Sequence, residues 1–163
     1  MKFAYITNNR LPSEKANAFQ IAQMCSALAS YGVDVTLFYP ARRNLKKFEG
    51  VDLFDYYKLP RNFKLLPLPC LDLFPLSGGN AVVEQPIFFL QTLTFALSLV
   101  WILRNQSLDV YYARDIFVLG AILAAFRKLK KRMFFEAHTF PASNLGRFWV
   151  RRVVKRLGGV VSI

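Results

Sequence analysis

Histidine, cysteine and acid are scarce in this chain of 163 residues, and each shortage closes a class of function. The two cysteines, Cys25 and Cys70, are too few for a disulfide scaffold. Both sit in apolar surroundings, which suits reduced, buried thiols in a cytoplasmic protein. With one histidine, His138, and two scattered cysteines, no protein-built metal site is expected. Glycine is missing from the first loop, TNNRLPSEKAN. A G-x-G-x-x-G turn there would let the backbone approach a pyrophosphate, so its absence argues against a bound dinucleotide. No G-x-x-x-x-G-K-S/T segment occurs, which excludes a P-loop NTPase. A signal peptide is not expected, because only a short apolar run precedes Asn8-Asn9-Arg10 and a signal needs about 7–15 such residues.

What is abundant is apolar and basic. Hydrophobic residues make up 54% of the chain, above the usual share of about 45–50%. Sixteen phenylalanines promise a bulky core, and disorder is excluded as the general state. The length fits one domain covering residues 1–163. Residues 86 to 103, PIFFLQTLTFALSLVWIL, carry no charge and reach the short edge of a bilayer span. Gln91, Thr92, Thr94 and Ser98 dilute that run, which favours a buried or interface-lying helix. A membrane span remains the third alternative for the chain.

The elements alternate. Strands are expected at 3–6, 33–39, 109–113, 132–137 and from 160 onward. Helices are expected at 16–31, 86–105, 116–129 and 145–157, the first with Asn17 and Gln20 as a capping box and Gly32 as its stop. Between 41 and 85 the chain is less regular, with short strands near 54–59 and 63–66. Repeated strand–helix–strand units imply an α/β fold: a doubly wound, mostly parallel sheet with helices on both faces, Rossmann-like. The chain stops inside an apolar strand, so a further domain is expected beyond Ile163.

Ligands of such sheets bind outside the carboxyl ends of the strands. Three loops qualify there. The first offers Asn9, Ser13, Lys15 and Asn17 at a helix N-terminus that favours anions, or simply caps that helix. In the second, Asp115 is placed to cap the helix that follows, and Arg114 is placed to hold a ligand or a salt bridge. In the third, the His138-Thr139-Phe140-Pro141 loop after the 132–137 strand, Thr139 is a cleft-lining candidate, and period 2 puts Glu136 and His138 on the same side. His138 can act there as acid, base or hydrogen-bond donor, with Glu136 orienting it or anchoring a neighbouring loop.

Residues 127 to 156 are strongly basic, and the whole chain carries a net charge of +12. On a helical wheel Arg147, Arg151, Arg152, Lys155 and Arg156 fill one half, with Phe148 among them. Trp149, Val150, Val153, Val154 and Leu157 fill the other. Such a helix fits an anionic membrane surface, or is a core helix with a solvated face. No recognition fold or RNP-like motif speaks for nucleic acid.

The opening, MKFAYITNNRLPSEKANAFQIAQMCSALASYGVDVTLFYP, resembles the start of family 4 glycosyltransferases with the GT-B fold. DVYYARD, FFEAHTFP and LGGVVSI resemble later strands of the same N-terminal domain, in order and spacing. The resemblance implies a two-domain enzyme: an acceptor-binding N-terminal half and a C-terminal half, outside this sequence, that binds a nucleotide sugar. His138 would then face the transferred sugar, and Arg114 with the 8–17 loop would line the acceptor side. It implies no metal, and a glycan or lipid-linked acceptor at the inner membrane face. This chain alone would be inactive. The alternative is a non-catalytic module that binds anionic membranes or polyanions.

Overall fold

A computed structural model describes residues 1–76, 81–138 and 143–162. Six strands are seen: β1 (Lys2–Ile6), β2 (Asp34–Pro40), β3 (Lys64–Leu68), β4 (Val110–Ala113), β5 (Met133–Ala137) and β6 (Gly159–Ser162). Five helices accompany them: α1 (Ala16–Ser30), α2 (Leu53–Tyr57), α3 (Ala81–Leu103), α4 (Ile116–Ala125) and α5 (Asn144–Val154). All strand pairs are parallel, in the order β3-β2-β1-β4-β5-β6. That order makes the sheet doubly wound and Rossmann-like, the fold class expected from the sequence.

The period-2 alternation of each strand divides the core in two. Ala4, Ile6, Tyr111, Ala113, Met133 and Phe135 face α3, α4 and α5. Phe3, Tyr5, Val35, Leu37 and Tyr112 face α1 and α2. Burying both faces is why the strands read as apolar runs rather than as half-polar alternation.

Several boundaries differ from expectation. The stretch 54–59 is not a strand: α2 forms there because the Asp52 side chain accepts from Phe54 N (2.8 Å) and Asp55 N (3.0 Å). Lys58, at φ 54°, ends it. The strand expected at 63–66 is β3. Helix α1 matches its range, but no Asn17–Gln20 box forms; Lys15 stands at the N-cap without a side-chain cap. Instead Lys15 N donates to Ser13 Oγ (3.2 Å). Gly32 does stop α1, at φ +81°, where a β-carbon would be strained. Helix α3 starts earlier than expected and passes through Pro86 near its beginning, which removes a single ladder donor. The helix expected over 116–129 ends at Ala125. Phe126 leaves helical geometry to rest against the core, and the basic run that follows takes a 3₁₀ turn over Arg127–Arg132. Helix α5 is capped by Ser143 Oγ, which accepts from Gly146 N (3.1 Å), and closes at Val154, short of residue 157.

The apolar helix α3 is amphipathic in its placement. Phe95, Ala96, Leu99 and Leu103 are buried against the sheet and α4. Phe89, Leu93, Leu97 and Trp101 form an exposed stripe four residues apart, with Phe89 and Trp101 about two-thirds exposed at 64% and 65%.

Candidate functional site

The strand order reverses between β1 and β4, and the crevice at their carboxyl ends is where this architecture holds ligands. Three strands deliver polar groups there. Tyr5 lies on β1, Arg114 directly follows β4, and Glu136 lies on β5 with His138 just beyond it.

Glu136 is the hub. It is fully buried at 0% exposure and accepts from three donors. Tyr5 Oη donates at 2.5 Å, Arg114 Nη2 at 2.5 Å, and His138 Nε2 stands 2.6 Å from Glu136 Oε1. Burial opposes its charge, but Arg114, Tyr5 and His138 together hold its carboxyl below the usual range. Burial, then the Glu136 carboxylate, push the Tyr5 hydroxyl far up, so Tyr5 stays a neutral donor. Arg114 is desolvated too, yet Glu136 and Tyr5 raise its pKa and keep it charged. Because Glu136 is ionised, Nε2 of His138 carries the proton donated to it. The Nδ1 atom of a neutral ring is then left as an acceptor.

Arg114 also ties this network to the first loop, donating from Nε to Tyr5 Oη (3.1 Å) and from Nη1 to the Asn17 carbonyl (3.3 Å). Beside the network lies a cleft of about 380 Å³ that includes Asn9, Ser13, Lys15 and Asn17 in its lining. Four expected loop residues therefore share one cleft. Ser13 is also bound to α2, its backbone N–H and carbonyl both engaging Tyr57 Oη (2.9 and 2.5 Å).

Asp115 caps α4 through Oδ1, which accepts from Phe117 N (2.8 Å) and Val118 N (3.1 Å). Its Oδ2 accepts a long bond from Asn8 Nδ2 (3.4 Å). Thr139 lies outside the described residues. Among the described residues no group of three or more His, Cys, Asp or Glu side chains gathers as a metal site.

Of the expected membrane-facing residues, Trp149, Arg152 and Arg156 stand apart from this crevice. Helix α4 starts at the carboxyl edge of the sheet and runs back to the amino edge, where Arg127–Arg132 leads into β5. There Arg127, Lys130, Trp149, Arg152 and Arg156 line a basic cleft of about 590 Å³. Val150 and Val153 point to the core, while Arg147, Phe148, Arg151 and Lys155 are exposed. Trp149 lies over Gly120 rather than fully inside.

Sequence reasoning missed Tyr5 and Gln91, and it took in Asn8 only as part of the 8–17 loop. Asn8 donates to Thr92 Oγ1 (2.8 Å) and accepts from Gln91 Nε2 (3.0 Å), joining the first loop to α3. The signal for Tyr5 was its hydroxyl: buried tyrosine oxygens find partners. The signal for Gln91 and Thr92 was their polarity inside an otherwise apolar helix.

No family model matches the sequence, and no curated protein matches it. Solved structures do resemble it. MurG of Acinetobacter baumannii superposes with a TM-score of 0.56 at 13% identity, covering 99% of this chain and 40% of that one. The glycotransferase of kitacinnamycin superposes with a TM-score of 0.56 at 14% identity, covering 94% and 35%. The chain thus has a glycosyltransferase-like Rossmann fold and spans 35–40% of the length of these structures.

Proposed function

We propose that this chain is the acceptor-binding N-terminal domain of a metal-independent GT-B glycosyltransferase of the family 4 type. The whole enzyme would move a sugar from a nucleotide sugar to a glycan or lipid-linked acceptor, with the donor held by a second domain outside this chain. The observation that carries the reading is the Tyr5–Glu136–Arg114–His138 network at the switch point of a glycosyltransferase-like fold.

In the transfer, an acceptor hydroxyl attacks the anomeric carbon, and the bond from that carbon to the nucleotide phosphate breaks. The nucleoside diphosphate leaves with the electron pair, and the proton of the acceptor hydroxyl passes to a base at the site or to the departing phosphate. Glu136 fixes the His138 ring so that Nδ1 presents a lone pair to a sugar or acceptor hydroxyl. Stabilisation of the departing phosphate falls to the second domain. The fragment alone is then inactive. The test is sugar transfer by the full-length protein across a panel of nucleotide sugars. His138→Ala abolishes transfer without unfolding the chain if the reading holds. No transfer from any nucleotide sugar in the panel refutes it.

The exposed α3 stripe favours a second element, peripheral attachment to the inner membrane face. Phe89, Leu93, Leu97 and Trp101 offer apolar contact, and the basic residues of α5 and the 127–132 turn offer attraction to anionic headgroups. Co-sedimentation with anionic vesicles that weakens with salt, and with Trp101→Ser, is the expected result. Equal binding to neutral vesicles refutes the electrostatic part.

A further inference from the structure

Within the acceptor-side cleft lies a second cluster that shares no residue with the Glu136 network. Arg10, in the first loop, and Arg42, just after β2, both line it. The Arg42 side chain is nine-tenths buried, at 9% exposure, with its guanidinium 4.4 Å over the Phe74 ring. Neither Arg10 Nε nor Arg42 Nε has a hydrogen-bond partner, although both atoms are buried. Asp72 pairs with Arg42 as a counter-ion without supplying that bond: its Oδ1 stands 3.9 Å from Arg42 Nε, beyond hydrogen-bond range. Its two oxygens are instead taken by Arg43 N (2.9 Å) and Phe74 N (3.4 Å). Burial, then the Arg10 charge, lower the Arg42 pKa, against the pull of Asp72. Two like charges are thus held close in a partly dry cleft, with Asp72 as the one counter-ion at Arg42.

Helix α1 points its N-terminus at the same space. It has no acid in its first turn and no side-chain cap. Its partial positive charge adds to the arginines. Of the acids lining the cleft, Glu14 is paired with Lys47, and Glu84 sits in the first turn of α3, where it complements that helix.

We infer that Arg10, Arg42 and the α1 N-terminus form a subsite for a phosphoryl group carried by the acceptor. A carboxylate has two oxygens and satisfies one guanidinium fork. A phosphoryl group has three oxygens in a pyramid and more charge, so it can meet donors arriving from β2, the first loop and α1 together. The subsite deepens the acceptor-cleft reading above and rests on it for the identity of the ligand.

The experiment is calorimetric titration of the full chain with inorganic pyrophosphate, glucuronate and UDP. Arg10→Gln and Arg42→Gln are each expected to weaken pyrophosphate binding by about tenfold, roughly 1.4 kcal/mol. Lys128→Gln, at the far edge of the sheet, leaves it unchanged. Arg42→Lys, which keeps the charge and loses the fork, falls between and guards against a folding defect in Arg42→Gln. Pyrophosphate binding that ignores both arginines overturns the proposal. So does glucuronate binding tighter than pyrophosphate. UDP binding much tighter than pyrophosphate with the same arginine dependence assigns the subsite to the donor and overturns the acceptor assignment. Because binding is read without turnover, an absence of sugar transfer would fell the proposed function while leaving this subsite standing.

Discussion

Replacing Glu136 with glutamine keeps the shape of the hub and removes its charge. The carboxylate is fully buried and accepts from Tyr5, Arg114 and His138 within 2.5–2.6 Å. The Arg114 side chain is 11% exposed, so Glu136→Gln leaves a guanidinium nearly dry and without a counter-ion. The glutamine amide also turns a donor toward groups that already donate. Breaking a buried pair by removing one partner costs about 3–5 kcal/mol. That is a large part of the roughly 5–15 kcal/mol that holds a domain folded. The assay is urea unfolding of wild type, Glu136→Gln, Arg114→Met and the double variant. The double variant should lose less than the sum of the singles, with a coupling of about 0.5–3 kcal/mol, because it leaves no orphaned charge. The pH dependence has a defined sign. The folded carboxyl of Glu136 sits below its unfolded value of about 4.3. Its contribution is present above that value and lost as the pH falls through the lower folded one. Wild type should therefore lose stability faster than Glu136→Gln below about pH 4.3. A cost under about 1 kcal/mol for Glu136→Gln, or parallel acid limbs, refutes the argument.

Three further outcomes follow from local geometry. Asp115→Ala removes two cap bonds from the start of α4 and should cost about 0.5–2 kcal/mol in urea unfolding, with Asp115→Asn losing less. A β-carbon at Gly158 would lie 2.3 Å from the Lys131 backbone carbonyl oxygen, so Gly158→Ala should cost about 1–3 kcal/mol, whereas Gly120→Ala, inside α4 and 3.6 Å from Trp149, should gain about 0.5–1 kcal/mol in the same assay. Burial raises the pKa of both thiols, far more for fully buried Cys25 than for half-buried Cys70, so a disulfide reagent should label Cys70 first and Cys25 only on unfolding.

The sheet was legible in the sequence because its strands are buried on both faces. VYYA and MFFEA are apolar runs bounded by turns, and the helices between them set a parallel order. The stretch FDYYKL misled because its aromatics favour strands, while the decisive signal was the single carboxylate of Asp52. The pattern carries the helix on through 127–129, the start of the run RKLKKR, because nothing in its periodicity shows that Phe126 breaks away toward the core. At the site, the Glu136–His138 pairing follows from period 2 alone. The partners of Glu136 do not. Arg114 is 22 residues away and Tyr5 is 131 residues away. Both reach it only because β4 lies between β1 and β5, an order that local pattern does not encode.

That order also explains how a glycine-free loop serves at a switch point. A glycine-rich loop brings its backbone to a phosphate because nothing bulky stands in the way. Here the first loop carries side chains and is held in place by tethers. Asn8 is bonded to Gln91 and Thr92 of α3 and, more weakly, to Asp115 at the start of α4. Asn44 Nδ2 donates to the Pro12 carbonyl (2.8 Å), and Tyr57 clasps Ser13 from α2. Arg114 closes the circuit by binding the Asn17 carbonyl while it neutralises Glu136. The hub that orients His138 therefore also fixes the loop that presents Arg10. Loosening the Glu136–Arg114 pair should disturb both centres together, whereas removing Arg10 should disturb the proposed anion subsite alone.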